Sequence, residues 1–162
     1  MLFDGWHLVG INGGTGEIYR TIDLSGALIP ADGILLIATA DAVGEVLANR
    51  DFVANVDWQN GPDAVQLLNP AGEVIDALQY GDAKNNNAGE GTPAVDVSAG
   101  WSLARFPFAF DSGDNFADFQ ATEFPTPGTG LEPVPEPGTM MLLGAGLLGL
   151  AAYGRRSLRQ DA

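Results

Sequence analysis

Residues 58–82 read WQNGPDAVQLLNPAGEVIDALQYGD, and their punctuation decides the fold class. Asn60-Gly61-Pro62-Asp63 is a turn signal, because Gly reaches positive φ freely, Pro fixes its own φ, and Asn and Asp close local turns with their side chains. It opens onto the apolar run Ala64 to Leu68. Asn69-Pro70-Ala71-Gly72 then makes a tight turn into Val74 to Tyr80. Runs of five to seven residues between such turns are too short for stable helices and predict β-strands.

The same rhythm continues on both sides. Upstream, Trp6 to Ile11 is an apolar run, Asn12-Gly13-Gly14-Thr15-Gly16 a turn, and Ile18 to Leu24 an alternating hairpin partner. Pro30-Ala31-Asp32-Gly33 turns into Ile34 to Thr39, a continuous apolar run that predicts a strand buried on both faces. Asp41 to Arg50 reads as a short helix with Asp41 as N-cap. Downstream, residues 81–99 read as a solvated, Asn-rich loop, Trp101 to Phe106 alternates as a strand, and Phe116 to Ala121 closes the sheet. Six or seven strands at this spacing predict an all-β sandwich.

Composition narrows the function. The 162 residues suit one ordinary domain with a short appendage. Absence of Cys excludes disulfides and thiolate metal sites. A formal charge of −14 argues against nucleic acid, whose phosphates need a basic face. Eighteen of the acids lie in residues 1–131, beside only Arg20, Arg50, Lys84 and Arg105. The body is therefore acidic, as suits an exposed, soluble surface.

The end of the chain differs. VPEPGTMMLLGAGLLGLAAYGRRSLRQDA, residues 134–162, holds an uncharged run from Gly138 to Gly154. As a helix this run is about 25 Å long, at the short end of what spans a bilayer. Met140 and Tyr153 bound its strongly apolar part, and Arg155, Arg156 and Arg159 follow as a positive-inside stop signal. The expectation is a single transmembrane helix in 138–154, with the body outside the cytoplasm. The Pro/Gly-rich segment before it cannot be helix or central strand and predicts an extended spacer. Three parts result: a body at 1–124, a linker at 125–137, and a span with basic tail at 138–162.

Pro135-Glu136-Pro137, followed by an apolar stretch and a terminal Arg cluster, resembles the PEP-CTERM sorting signal of Gram-negative bacteria. The resemblance implies an exosortase-type membrane protease as partner, cleavage near the triplet, and passage through the inner membrane to the cell surface or the extracellular space. The body also carries Asp23-Leu24-Ser25-Gly26, Asp63-Ala64-Val65 with Val74-Ile75-Asp76, Ser102-Leu103-Ala104-Arg105 and Pro125-Thr126-Pro127-Gly128. In this order they resemble the lamin-tail domain, an immunoglobulin-like β-sandwich, over residues 5–128. Those landmarks are packing and turn residues, so the resemblance implies a fold and no active site. Members begin with two strands that this chain does not show, and Met1 to Gly5 has no export-signal pattern. The expectation is an N-terminally truncated chain with an unpaired sheet edge.

Candidate chemistry is sparse. His7, the sole His, sits inside a predicted strand between Trp6 and Leu8. Asp111, Asp114 and Asp118 offer hard oxygens for Ca2+, but lack the spacing and closing Glu of an EF-hand, and Asx turns explain the same residues. Gly13-Gly14-Thr15-Gly16 lacks the Lys-Ser/Thr of a phosphate loop. No catalytic residue and no cofactor is expected. These readings converge on a non-enzymatic surface or matrix protein that binds an unknown polymer or protein. The alternatives are an accessory domain of a larger secreted nuclease or esterase, and a Ca2+-dependent adhesive module.

Overall fold

A computed structural model describes residues 1–82 and 87–129. The segment quoted above forms its centre: β5 (Asp63–Leu68) and β6 (Val74–Tyr80) pair antiparallel. Asn69 makes the turn between them, its side-chain carbonyl accepting from the amides of Ala71 (2.9 Å) and Glu73 (3.0 Å) while Gly72 takes positive φ. β1 (His7–Asn12) and β2 (Ile18–Asp23) form a second hairpin, whose turn is closed by Asn12 in the same way, from Gly14 and Thr15. β1 also pairs with β5, giving a four-stranded antiparallel sheet in the order β2-β1-β5-β6. Two short ladders complete the strands: β3 (Ile37–Ala38) with β4 (Phe52–Val53), in parallel, and β7 (Ser102–Arg105) with β8 (Phe119–Thr122), antiparallel.

Strand alternation divides the large sheet into two apolar faces. One carries Leu8, Ile22 and Leu67, which gather with buried Phe3, Leu24 and Ala27 and with Ile37 and Phe52 of the β3–β4 ladder. The other carries Val9, Ile11 and Ala64, covered by Ala88 from the connection between β6 and β7. That connection was expected to be solvated. Its described part instead folds onto the sheet: Ala88 and Ala94 are buried, and Gln66 donates to the Ala88 carbonyl at 2.7 Å.

Three further expectations need correction. The run Ile34 to Thr39 forms strand only at Ile37–Ala38 and is mostly half-buried. The Leu36 amide donates to the Asp51 carboxylate at 2.8 Å, and the Leu36 carbonyl accepts from both Asp51 and Phe52, so the backbone is satisfied without a longer ladder. Helix α1 (Gly44–Asn49) starts after Val43, which makes no side-chain cap, so Asp41 lies two residues before the cap position. Phe116 to Ala121 is divided between the short helix α2 (Asn115–Asp118) and β8. Here Asp114 is the cap, accepting from the amides of Phe116 and Ala117.

The start of the linker is a turn rather than an extended chain. Thr129 donates to the Thr126 carbonyl at 3.1 Å, and Thr126 to Gly128 are half-buried. No helix among the described residues is long and apolar enough to cross a membrane. The expected span at 138–154, the triplet Pro135-Glu136-Pro137 and the Arg cluster lie outside the described residues.

Asn115 joins the sheet to its cover. It is fully buried, accepts from the amides of Gln79 (2.8 Å) and Glu90 (3.0 Å), and donates to the Ala77 carbonyl (2.8 Å). Truncating it strands three buried backbone groups, each worth about 1–3 kcal/mol when left unpaired. Asn115→Ala is therefore expected to lower unfolding stability by about 3–5 kcal/mol in urea titration. A midpoint within error of wild type would refute this role.

Candidate functional site

Charged groups meet where β6, β7, α2 and β8 come together. Leu103 and Arg105 alternate onto the same side of β7, which brings a guanidinium to a largely apolar face. Its Nη2 lies 3.0 Å from Asp76 Oδ1, and Nη1 lies 3.3 Å from both Asp111 Oδ1 and Asp118 Oδ2. Nη1 also donates to the Phe110 carbonyl at 3.1 Å, and the guanidinium carbon stands 4.6 Å from the centre of the Phe119 ring.

The three aspartates considered for Ca2+ have separate tasks. Asp118 has no exposed side-chain surface and accepts from the Ser112 hydroxyl (2.6 Å) and amide (2.9 Å) as well as from Arg105. The Ser112 hydrogen bonds, then Arg105, hold its carboxyl below the usual carboxylate range. Asp114 caps α2, and it too is lowered, chiefly by the amide of Thr92. Asp111 pairs with Arg105 and accepts from the Gly113 amide.

The fold gathers a different trio. Carboxylate oxygens of Asp76, Glu90 and Asp111 lie within 4.8 Å of one another. Glu90 Oε2 is buried with no hydrogen-bond partner among the described residues. Burial first, then the charges of Asp76 and Asp111, raise the Glu90 carboxyl above its ordinary value. Spacing could not reveal this group, because its members are 14 and 21 residues apart and on three different segments. The one available signal was a cation inside the alternating apolar pattern of β7.

Beside Arg105, a cleft of about 580 Å3 opens on the face of the large sheet that carries Leu8. Leu8, Val65, Leu67, Leu78 and Leu103 form its apolar lining, Trp58 and Tyr80 add rings, and Asp57 and Asp96 bring exposed carboxylates. The wall at 58–61 is held by two tyrosines. Tyr19 donates to buried Asp63 at 2.6 Å and accepts from the Gln59 amide, while Tyr80 donates to the Gln59 carbonyl at 2.8 Å. Burial, reinforced by the bond to Asp63, pushes the Tyr19 hydroxyl up to about 12. Burial and the nearby carboxylate of Asp63 also raise Tyr80. A bulge opposite Gly10 and Ile11 leaves Tyr19 outside the ladder. Its ring then crosses Gly10, where a Cβ would stand 2.8 Å from Tyr19 and 3.0 Å from Trp58.

His7 stands apart from both places, in β1, cross-strand from Asp23 and Leu68.

Residues 133–157 match the family described as the PEP-CTERM protein-sorting motif. The chain divides into two units after Glu132, one residue before this match begins. No curated protein and no solved structure is significantly similar to the chain.

Two substitutions test the charge cluster. Arg105→Ala leaves buried Asp118 without its cation and is expected to lower the thermal midpoint clearly more than Arg105→Lys, which keeps the charge but not the fork. Equal losses would show that the fork carries the whole contribution and that charge and aliphatic stem add nothing. Glu90→Gln acts in the opposite direction. A carboxyl raised on folding opposes stability once pH exceeds its folded value, and ceases to do so as pH falls to the ordinary glutamate range. Glu90→Gln is expected to raise the midpoint at pH 7, with the gain gone below about pH 4. A gain that persists at low pH would contradict the assignment.

Proposed function

Proceeding from the PEP-CTERM motif at residues 133–157, we propose that this is a non-enzymatic bacterial surface or matrix protein. The motif marks an exported chain for processing by an exosortase, and that match is the observation that carries the reading. The apolar run Gly138 to Gly154 inserts as a helix, Arg155, Arg156 and Arg159 stay on the cytoplasmic side, and cleavage falls near Pro135-Glu136-Pro137. The body is an immunoglobulin-like sandwich of lamin-tail type that displays its surface once released. Its all-β architecture, with apolar layers on both sides of a four-stranded sheet, supports that reading of the fold.

A non-catalytic role is supported by what the carboxylates do. Asp118 and Asp114 are engaged in holding chain segments together, and His7 has a strand position away from them. A unit boundary after Glu132, ahead of the triplet in the sequence, supports a cleavage point outside the body.

The test is localisation in an exosortase-bearing host, followed with an antibody to the body. Wild type is expected outside the cell at a mass reduced by the tail. Changing Pro135, Glu136 and Pro137 to Ala is expected to leave a full-length, membrane-bound precursor. Equal release of both forms would overturn processing at the triplet.

A further inference from the structure

We propose that the cleft beside Arg105 binds a small organic cation: an apolar or aromatic group bearing an ammonium charge. Its volume, about 580 Å3, falls in the range of small-molecule sites, which combine an apolar lining with a few polar groups. Leu67, Leu78 and Leu103 are only half-buried, so apolar surface of the sheet faces the cleft without a protein cover.

Charge selects the occupant. Asp57, Asp76 and Asp96 line the cleft against a single cation, Arg105. Arg105 is already shared among Asp76, Asp111 and Asp118 and has no capacity to neutralise the remaining two. Asp57 and Asp96 form no ion pair among the described residues, and both are exposed at the cleft. Arg20 is not part of the lining and donates to the Asn55 carbonyl. Negative potential above an apolar floor disfavours an anion, and it leaves a neutral ligand without electrostatic gain. A cation gains from both carboxylates, and from the π-faces of Trp58 and Tyr80 where it lies over them.

The rings are held in place before any ligand arrives. Tyr80 is fixed through its hydroxyl to Gln59, and Trp58 packs beside Gly10 in the tyrosine-held wall. Such preorganisation lowers the ordering cost of binding.

The experiment uses the full chain in a neutral detergent with three probes of one shape: benzyltrimethylammonium, benzyl alcohol and benzenesulfonate. Methyl resonances of Leu67, Leu78 and Leu103 report occupancy by NMR. Saturable shifts are expected with the ammonium, weaker ones with the alcohol and none with the sulfonate. Asp57→Asn combined with Asp96→Asn is expected to weaken the ammonium about fivefold and leave the alcohol unchanged. Both residues are exposed, and the side-chain carbonyl that D96N keeps can still accept from the Val97 amide as the Asp96 carboxylate does. The thermal midpoint of the double variant is therefore expected to hold. Binding that ignores ligand charge, or no saturable shift with the ammonium, would overturn the proposal. The cleft would then be a gap between layers.

Discussion

A buried carboxylate must find donors or carry a proton, and Asp118 sets this constraint for the C-terminal half of the body. It lies at the end of α2 with no exposed side-chain surface, and three groups answer it: the Ser112 amide, the Ser112 hydroxyl and Arg105. Each draws in more chain. Ser112 fixes the approach to α2, and Arg105 ties β7 to Asp76 on β6. The β7–β8 ladder has only two strands, and two strands alone are marginal in water. Its attachment to the large sheet therefore depends on this charge cluster and on neighbouring Asn115. The arrangement has a cost, visible in Glu90, which is crowded by Asp76 and Asp111 and lacks a partner for Oε2 among the described residues.

The other half is organised around Gly10. The bulge in β2 displaces Tyr19, and only a residue without Cβ lets its ring and that of Trp58 close over β1. The Tyr19 hydroxyl then satisfies Asp63 and holds the 58–61 segment, so one packing allowance fixes both a buried charge and one wall of the cleft. The shape of the cleft is thus a by-product of interactions needed for stability. Part of its electrostatics comes from Asp57 and Asp96, which are exposed and form no ion pair among the described residues.

Local chemistry was readable where it closes on itself. Asn12 and Asn69 each accept from backbone amides two to four residues ahead, and both turns appear as their residues predict. The strand positions of β1, β2, β5, β6 and β7 followed from apolar runs between such turns. Reading failed where a local signal had more than one outcome. Asp41 resembles a cap but the helix starts two residues further on, after Val43, and Asp114 caps a helix that the strand-like Phe116 to Ala121 concealed. Leu36 lies in an apolar run, yet its amide is taken by Asp51, fifteen residues away.

By itself, the sequence determined β1, β2, β5, β6 and β7 with their turns, the acidity of the body and the sorting motif, because each depends on residues close together in the chain. An address read by another protein must be local in this way, and the motif at 133–157 is. Tertiary structure alone decided which carboxylates share Arg105, which one stays unpaired, and which apolar residues are left facing a cleft. Those outcomes depend on strand register and on packing between segments tens of residues apart. A shift of one residue in either would send the same side chains to the opposite face.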